Sequence, residues 1–125
     1  MANSATAGSP TGIFILGAKE CTVITPYLIS LDADEDLTVL TPSNSRHVGV
    51  FGIDYSDDTD HTLIIKSGST AISTQYLLAK TPNRKPISPY PELVTYAGQA
   101  LVVRCAAAIQ SLTLYVAEYK ELYLR

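Results

Sequence analysis

AAAIQSLTLYVAEYKELYLR, residues 106–125, decides what kind of fold this chain can adopt. Its Ala, Leu, Glu and Lys favour a helix, and Ile109, Leu112, Val116 and Tyr119 would line one helical face. The same residues also alternate as a strand does, with Leu112, Leu114 and Val116 on one side and Thr113, Tyr115 and Ala117 on the other. Everything upstream reads as sheet, and a sheet needs a partner. The stretch is therefore expected to be a strand from Ile109 to about Glu118.

Working outward, the chain from Gly12 onward is a series of short segments rich in Val, Ile, Thr and Tyr, broken by Gly, Pro, Asn and Asp. Strands are expected over residues 13–16, 21–31, 37–40, 47–55, 62–66, 70–79, 93–96, 100–105 and 109–119. Pro26 leaves open whether 21–31 is one strand or two. Gly49 and Gly52 in VGVFGIDY, residues 48–55, fall inside a strand, where glycine marks a bulge or a close neighbour. Ser67-Gly68-Ser69 and Ala97-Gly98-Gln99 supply reversals between apolar runs, and Asp57 to Asp60 supplies another, so consecutive strands should be antiparallel. Residues 80–91 hold four prolines in twelve positions. Proline lacks the ladder donor, so this segment is expected to be a long surface loop.

These features give the expected fold: all-β, an antiparallel two-sheet sandwich of jelly-roll or Greek-key kind. Residues 2–11 contain only Ala, Asn, Ser, Thr, Gly and Pro, with no side chain large enough to anchor in a core. Residues 1–12 are thus expected to be an extended N-terminal arm, and 13–125 a single domain. A chain of 125 residues is ample for one core.

Composition narrows function. Hydrophobic residues make up 46% and charged residues 17%, against about 25% in typical soluble domains, so the surface is low in charge. With net charge -3 and nine Lys and Arg scattered along the chain, no basic stripe suits nucleic acid. No apolar run is long enough for a membrane-spanning helix, and the first twelve residues lack the pattern of a secretory signal, so synthesis in the cytoplasm without export is expected. Cys21 and Cys105 lack metal or redox spacing. Either they are reduced apolar fillers on separate strands, which an unexported chain favours, or they meet in one disulfide.

No set of residues points to catalysis, a cofactor or a metal. His47 and His61 are the only histidines, each beside a strand start, and a solvated or turn-capping role is expected for both. The acidic run Asp32, Asp34, Glu35, Asp36 has Leu37 and Ser43 where a calcium loop needs Gly and Glu. Asp54, Asp57, Asp58 and Asp60 could bind calcium in a turn, but on a low-charge sandwich solvated caps are expected. Eight tyrosines and no tryptophan suit packing and interfaces; Tyr90 and Tyr96 beside the proline-rich segment leave room for a sugar platform.

Residues 61–119 carry a layout: TLIIKSGSTAI (62–72), a proline-bearing loop, VTYAGQALVV (94–103), then a short Ala turn into LTLYVAEY (112–119), with Gly68 and Gly98 at the reversals. This layout resembles that of small β-sandwich head decoration or cement proteins of tailed bacteriophages. The resemblance implies a jelly-roll-like structural protein of the virion, commonly a homotrimer. Such a protein sits on the capsid surface, binds the major capsid protein and stabilises neighbouring capsid subunits. The acidic region from Arg46 to Lys66 departs from that layout. Contacts are expected from the arm and the tail, through Asn3, Ser4, Thr6, Tyr119, Tyr123 and Leu124. The alternative is a receptor- or carbohydrate-binding sandwich of a phage tail, with tyrosines as platforms.

Overall fold

The computed structural model describes residues 4–9, 18–19, 23–43, 45–55, 59–77, 83–85 and 93–122. Among them run twelve strands: β1 (Ser4–Ala7), β2 (Ala18–Lys19), β3 (Thr25–Leu31), β4 (Asp36–Leu40), β5 (His47–Tyr55), β6 (His61–Ser67), β7 (Thr70–Leu77), β8 (Asn83–Lys85), β9 (Leu93–Val94), β10 (Leu101–Cys105), β11 (Ile109–Tyr119) and β12 (Glu121–Leu122). No helix occurs among the described residues.

The first sheet has the order β1-β3-β11-β5-β8, with β9 also on β5; the second has the order β4-β10-β6-β7; β2 and β12 form a separate small pair. Every pairing is antiparallel. From β3 the chain crosses to the second sheet for β4, returns for β5, crosses for the β6–β7 hairpin, returns for β8 and β9, crosses for β10 and returns for β11. This is the path of a double-sheet jelly roll.

The doubtful C-terminal stretch is a strand because it lies at the centre of the first sheet, between β3 and β5. Leu112, Leu114 and Val116 point into the layer between sheets, where they meet Ile29, Leu31, Val48, Val50 and Ile53 of their own sheet and Leu63, Ile65, Leu101 and Val103 of the other. Burying a side chain such as Leu114 stabilises by about 1.5–3 kcal/mol, far more than any difference in local propensity.

Bulges set which residues face inward. Tyr115 pairs with Gly52 but Val116 pairs with Val50, so Phe51 has no opposite residue in β11. On one side of this bulge Val48 and Val50 face the main core, and on the other Ile53 and Tyr55 do. Phe51 itself joins a second, smaller core with Ile24, Ala117 and Tyr119, on the outer face of the first sheet. The same one-residue offset occurs at Val39 in β4 and Ile72 in β7.

Several expectations change. Ser4–Ala7 is a strand, not a free arm, because small alternating residues add to the edge of β3 with register Ser4↔Ser30 to Ala7↔Tyr27. Pro26 does not divide β3. Its carbonyl accepts a 2.8 Å bond from the Gly8 N–H, so its donorless side faces the end of β1 rather than the ladder to β11. The proline-rich segment contains β8 between Pro82 and Pro86, pairing with Ile53 to Tyr55 of β5 at the sheet edge, where proline neighbours are tolerated. The expected strand at 13–16 lies outside the described residues.

Candidate functional site

The strand paths place residues 41–43, 45–46, 68–69 and 95–100 at one end of the sandwich and residues 32–35, 59–60 and 106–108 at the other. At the first end, backbone and side chains are tied together. Thr95, buried, gives its N–H to the Val48 carbonyl (3.0 Å) and accepts the Val48 N–H on Oγ1 (2.9 Å), while His47 Nδ1 donates to its carbonyl (2.7 Å). Ser67, also buried, accepts the Tyr96 N–H (2.9 Å) and donates to Gln99 Oε1 (2.8 Å). The Gly98 N–H reaches the Arg46 carbonyl and the Gly68 N–H that of Ala100, each at 2.8 Å. Both glycines have left-handed backbones, φ 77° and 57°, as their turns require.

Glu118 closes this end: its Oε1 accepts from Ser43 Oγ (2.8 Å) and from the Arg46 guanidinium (3.3 Å). Tyr119 stacks on His47 with ring centroids 5.8 Å apart and meets the edge of Phe51. Burial pushes the Tyr119 phenol up to about 12. The loops are thus held rigid, and Tyr96 projects from them, 57% exposed.

The other end is acidic at its turn, with Asp34 and Glu35 exposed and the Asp34 N–H bonded to the Cys105 carbonyl at 2.8 Å. Beneath it lies a pair that no spacing in the sequence signals. His61 Nδ1 and Cys105 Sγ approach to 3.6 Å, 44 residues apart along the chain, and the Tyr55 ring stands edge-on to His61. The Tyr55 hydroxyl donates to the Thr59 carbonyl. Cys105 is a free thiol and 1% exposed, so it fills the core in the reduced form; the disulfide alternative does not hold for it. His61, 7% exposed, is buried where a solvated role was expected; strand β6 begins at His61 and turns it inward opposite Leu77. A nucleophilic thiol needs access, and this one has none. Cys21 lies outside the described residues.

The faces and edges are different in character. On the outer face of the second sheet, Asp36 on β4 takes bonds from Lys66 Nζ (3.1 Å) and Arg104 Nη1 (3.3 Å). Chiefly the Lys66 ammonium, with Arg104 adding to it, holds the Asp36 carboxyl below its ordinary 3.8. Around this trio lie Thr38, Thr62, Thr74 and Tyr76, the last 73% exposed. On the outer face of the first sheet, Thr6, Leu28 and Thr113 form one cross-strand row, with Leu28 55% exposed.

Of the residues expected to touch a partner, Ser4 and Thr6 are exposed on the edge strand β1. Tyr119 is only 2% exposed and belongs to the small outer-face core, so it supports the chain's own fold rather than presenting itself to a neighbour. Asn3, Tyr123 and Leu124 lie outside the described residues, as does Tyr90. No protein-family model matches the chain, and no curated protein matches it in sequence.

Proposed function

We propose that this chain is a structural protein of a virion, a capsid decoration or cement protein that works as a homotrimer, binds the major capsid protein and stabilises neighbouring capsid subunits. The observation that carries this reading is the exposure of large apolar or aromatic side chains among threonines on the outer sheet faces, Leu28 between Thr6 and Thr113 and Tyr76 beside Thr62 and Thr74. Uncharged rows of this kind lose little on desolvation and suit contact with other protein. The jelly-roll path supports the reading by analogy, since capsid domains use it, as do lectins.

Co-sedimentation of the purified protein with capsid shells, assembled from the major capsid protein encoded with it, tests the proposal. Saturable binding of the protein to the shells is expected. Protein that stays in the supernatant at every concentration overturns it. The receptor- or sugar-binding reading draws on Tyr96, held outward on a rigid loop, and specific signal on a glycan array that disappears in Tyr96→Ala would favour it instead.

A further inference from the structure

An edge strand with unpaired N–H and C=O groups is a template for another strand, and proteins protect such edges with charge, proline or short length. Among the described residues, two edges of the two main sheets carry such protection. β4 opens with Asp36, whose carboxylate holds Lys66 and Arg104 beside it. β8 is three residues long, Asn83–Lys85, bears two cations and lies between prolines, while β9 beside it has only two residues.

The other two edges lack charge and proline altogether. β7, TAISTQYL, is the longest edge strand at 8 residues, and exposes Thr70, Ala71, Thr74 and Tyr76. Its one irregularity is the offset at Ile72. β1, SATA, is exposed at Ser4, Thr6 and Ala7, and sends only Ala5 into the core. These two edges lie on opposite flanks. β1 adjoins β4 at one side of the sandwich, whereas β7 ends the second sheet on the side where β8 and β9 end the first.

We infer that the occupant of the β7 edge is β1 of a second copy of this chain, paired head to tail. This rests on the homotrimer part of the reading above and gives it a geometry. A contact between unlike edges on opposite flanks leaves each copy one of each to offer, and it closes into a ring when the rotation permits. Uncharged strands meet without a desolvated or like-charged pair, whereas either protected edge in the same contact would bring one. Main-chain hydrogen bonds would supply affinity, and the tyrosine at position 76 would cover the joint.

The experiment is the solution mass of the full chain by light scattering, for wild type and for variants with one blocked edge. Thr74→Lys/Tyr76→Lys charges the exposed face of β7. Ala7→Pro removes an N–H on β1 that points away from β3, because the neighbouring Gly8 N–H is the one that bonds β3. Wild type is expected at three chains and each variant at one, with unchanged melting of the monomer fold by circular dichroism. Thr38→Lys, on the protected β4 edge, should remain at three. An equimolar mixture of the β7-blocked and β1-blocked variants should form two-chain species, since each keeps the edge the other lacks.

A monomeric wild type at high concentration overturns the inference, as do blocked variants that stay trimeric. A mixture that remains monomeric while wild type self-associates also overturns it, pointing to like edges pairing about a two-fold. None of these outcomes depends on shell binding, so loss of the capsid reading and loss of this contact are told apart.

Discussion

The two ends of the sandwich solve the same problem with different chemistry. At the end built from residues 41–43, 45–46, 68–69 and 95–100, buried hydroxyls of Ser67 and Thr95 satisfy the backbone of the neighbouring segments, and a second core stands behind them around Phe51 and Tyr119. At the other end the buried polar groups are His61 and Cys105, which face each other, and the turn above them is exposed and acidic. The first end is tied by a dense set of hydrogen bonds between segments far apart in sequence; the second is crossed by the bond from the Asp34 N–H to the Cys105 carbonyl and by the His61–Cys105 contact. Loops tied down by hydrogen bonds suit docking, and an exposed acidic turn suits solvent.

The comparison is broken most severely by Phe51→Ala, which empties the small core at the tied end. A loss of about 3–5 kcal/mol is expected in urea unfolding, and a loss below 1 kcal/mol would show that this core contributes little to the fold. Thr95→Val comes next. It leaves the buried Val48 N–H without its 2.9 Å acceptor, for an expected loss of about 1–3 kcal/mol. Local exchange of the Val48 amide should accelerate as well.

The smallest effect belongs to the charged face of the second sheet. Asp36 has a depressed pKa in the folded chain, so the stability it contributes is present above its unfolded-state value, near about pH 4, and is lost as pH falls through the lower folded value. Asp36→Asn should therefore differ from wild type in urea midpoint above about pH 4 and converge with it in stronger acid. Because the group is exposed and screened, the gap should be narrow and should shrink further in high salt.

Much of the fold was legible because it rests on local signals. Strand β11 has the bounds its alternation implies, and Gly68 and Gly98 take the positive φ that their turns demanded. What escaped depends on a partner strand. The expected strand 47–55 is present, and Gly49 and Gly52 marked it as irregular, but nothing in VGVFGIDY says that Phe51 is the unpaired residue or that the inward-facing set switches there. Likewise SATA has no large side chain and read as an arm, yet backbone pairing on β3 and the packing of Ala5 against the core hold it. Tyr119 ends an alternating run, and its burial comes from the small outer-face core with Ile24, Phe51 and Ala117 and from the stacked His47 ring. The meeting of His61 and Cys105 is purely tertiary.

The unpaired Phe51 also works as a phase shifter for the first sheet. A pairing of β5 on β11 without the offset would swap the phase of everything beyond it, turning Ile53 and Tyr55 to water and Asp54 toward the apolar layer. One extra residue therefore lets a single long strand present its apolar side to the same layer over its whole length, while lending one large ring to the opposite face.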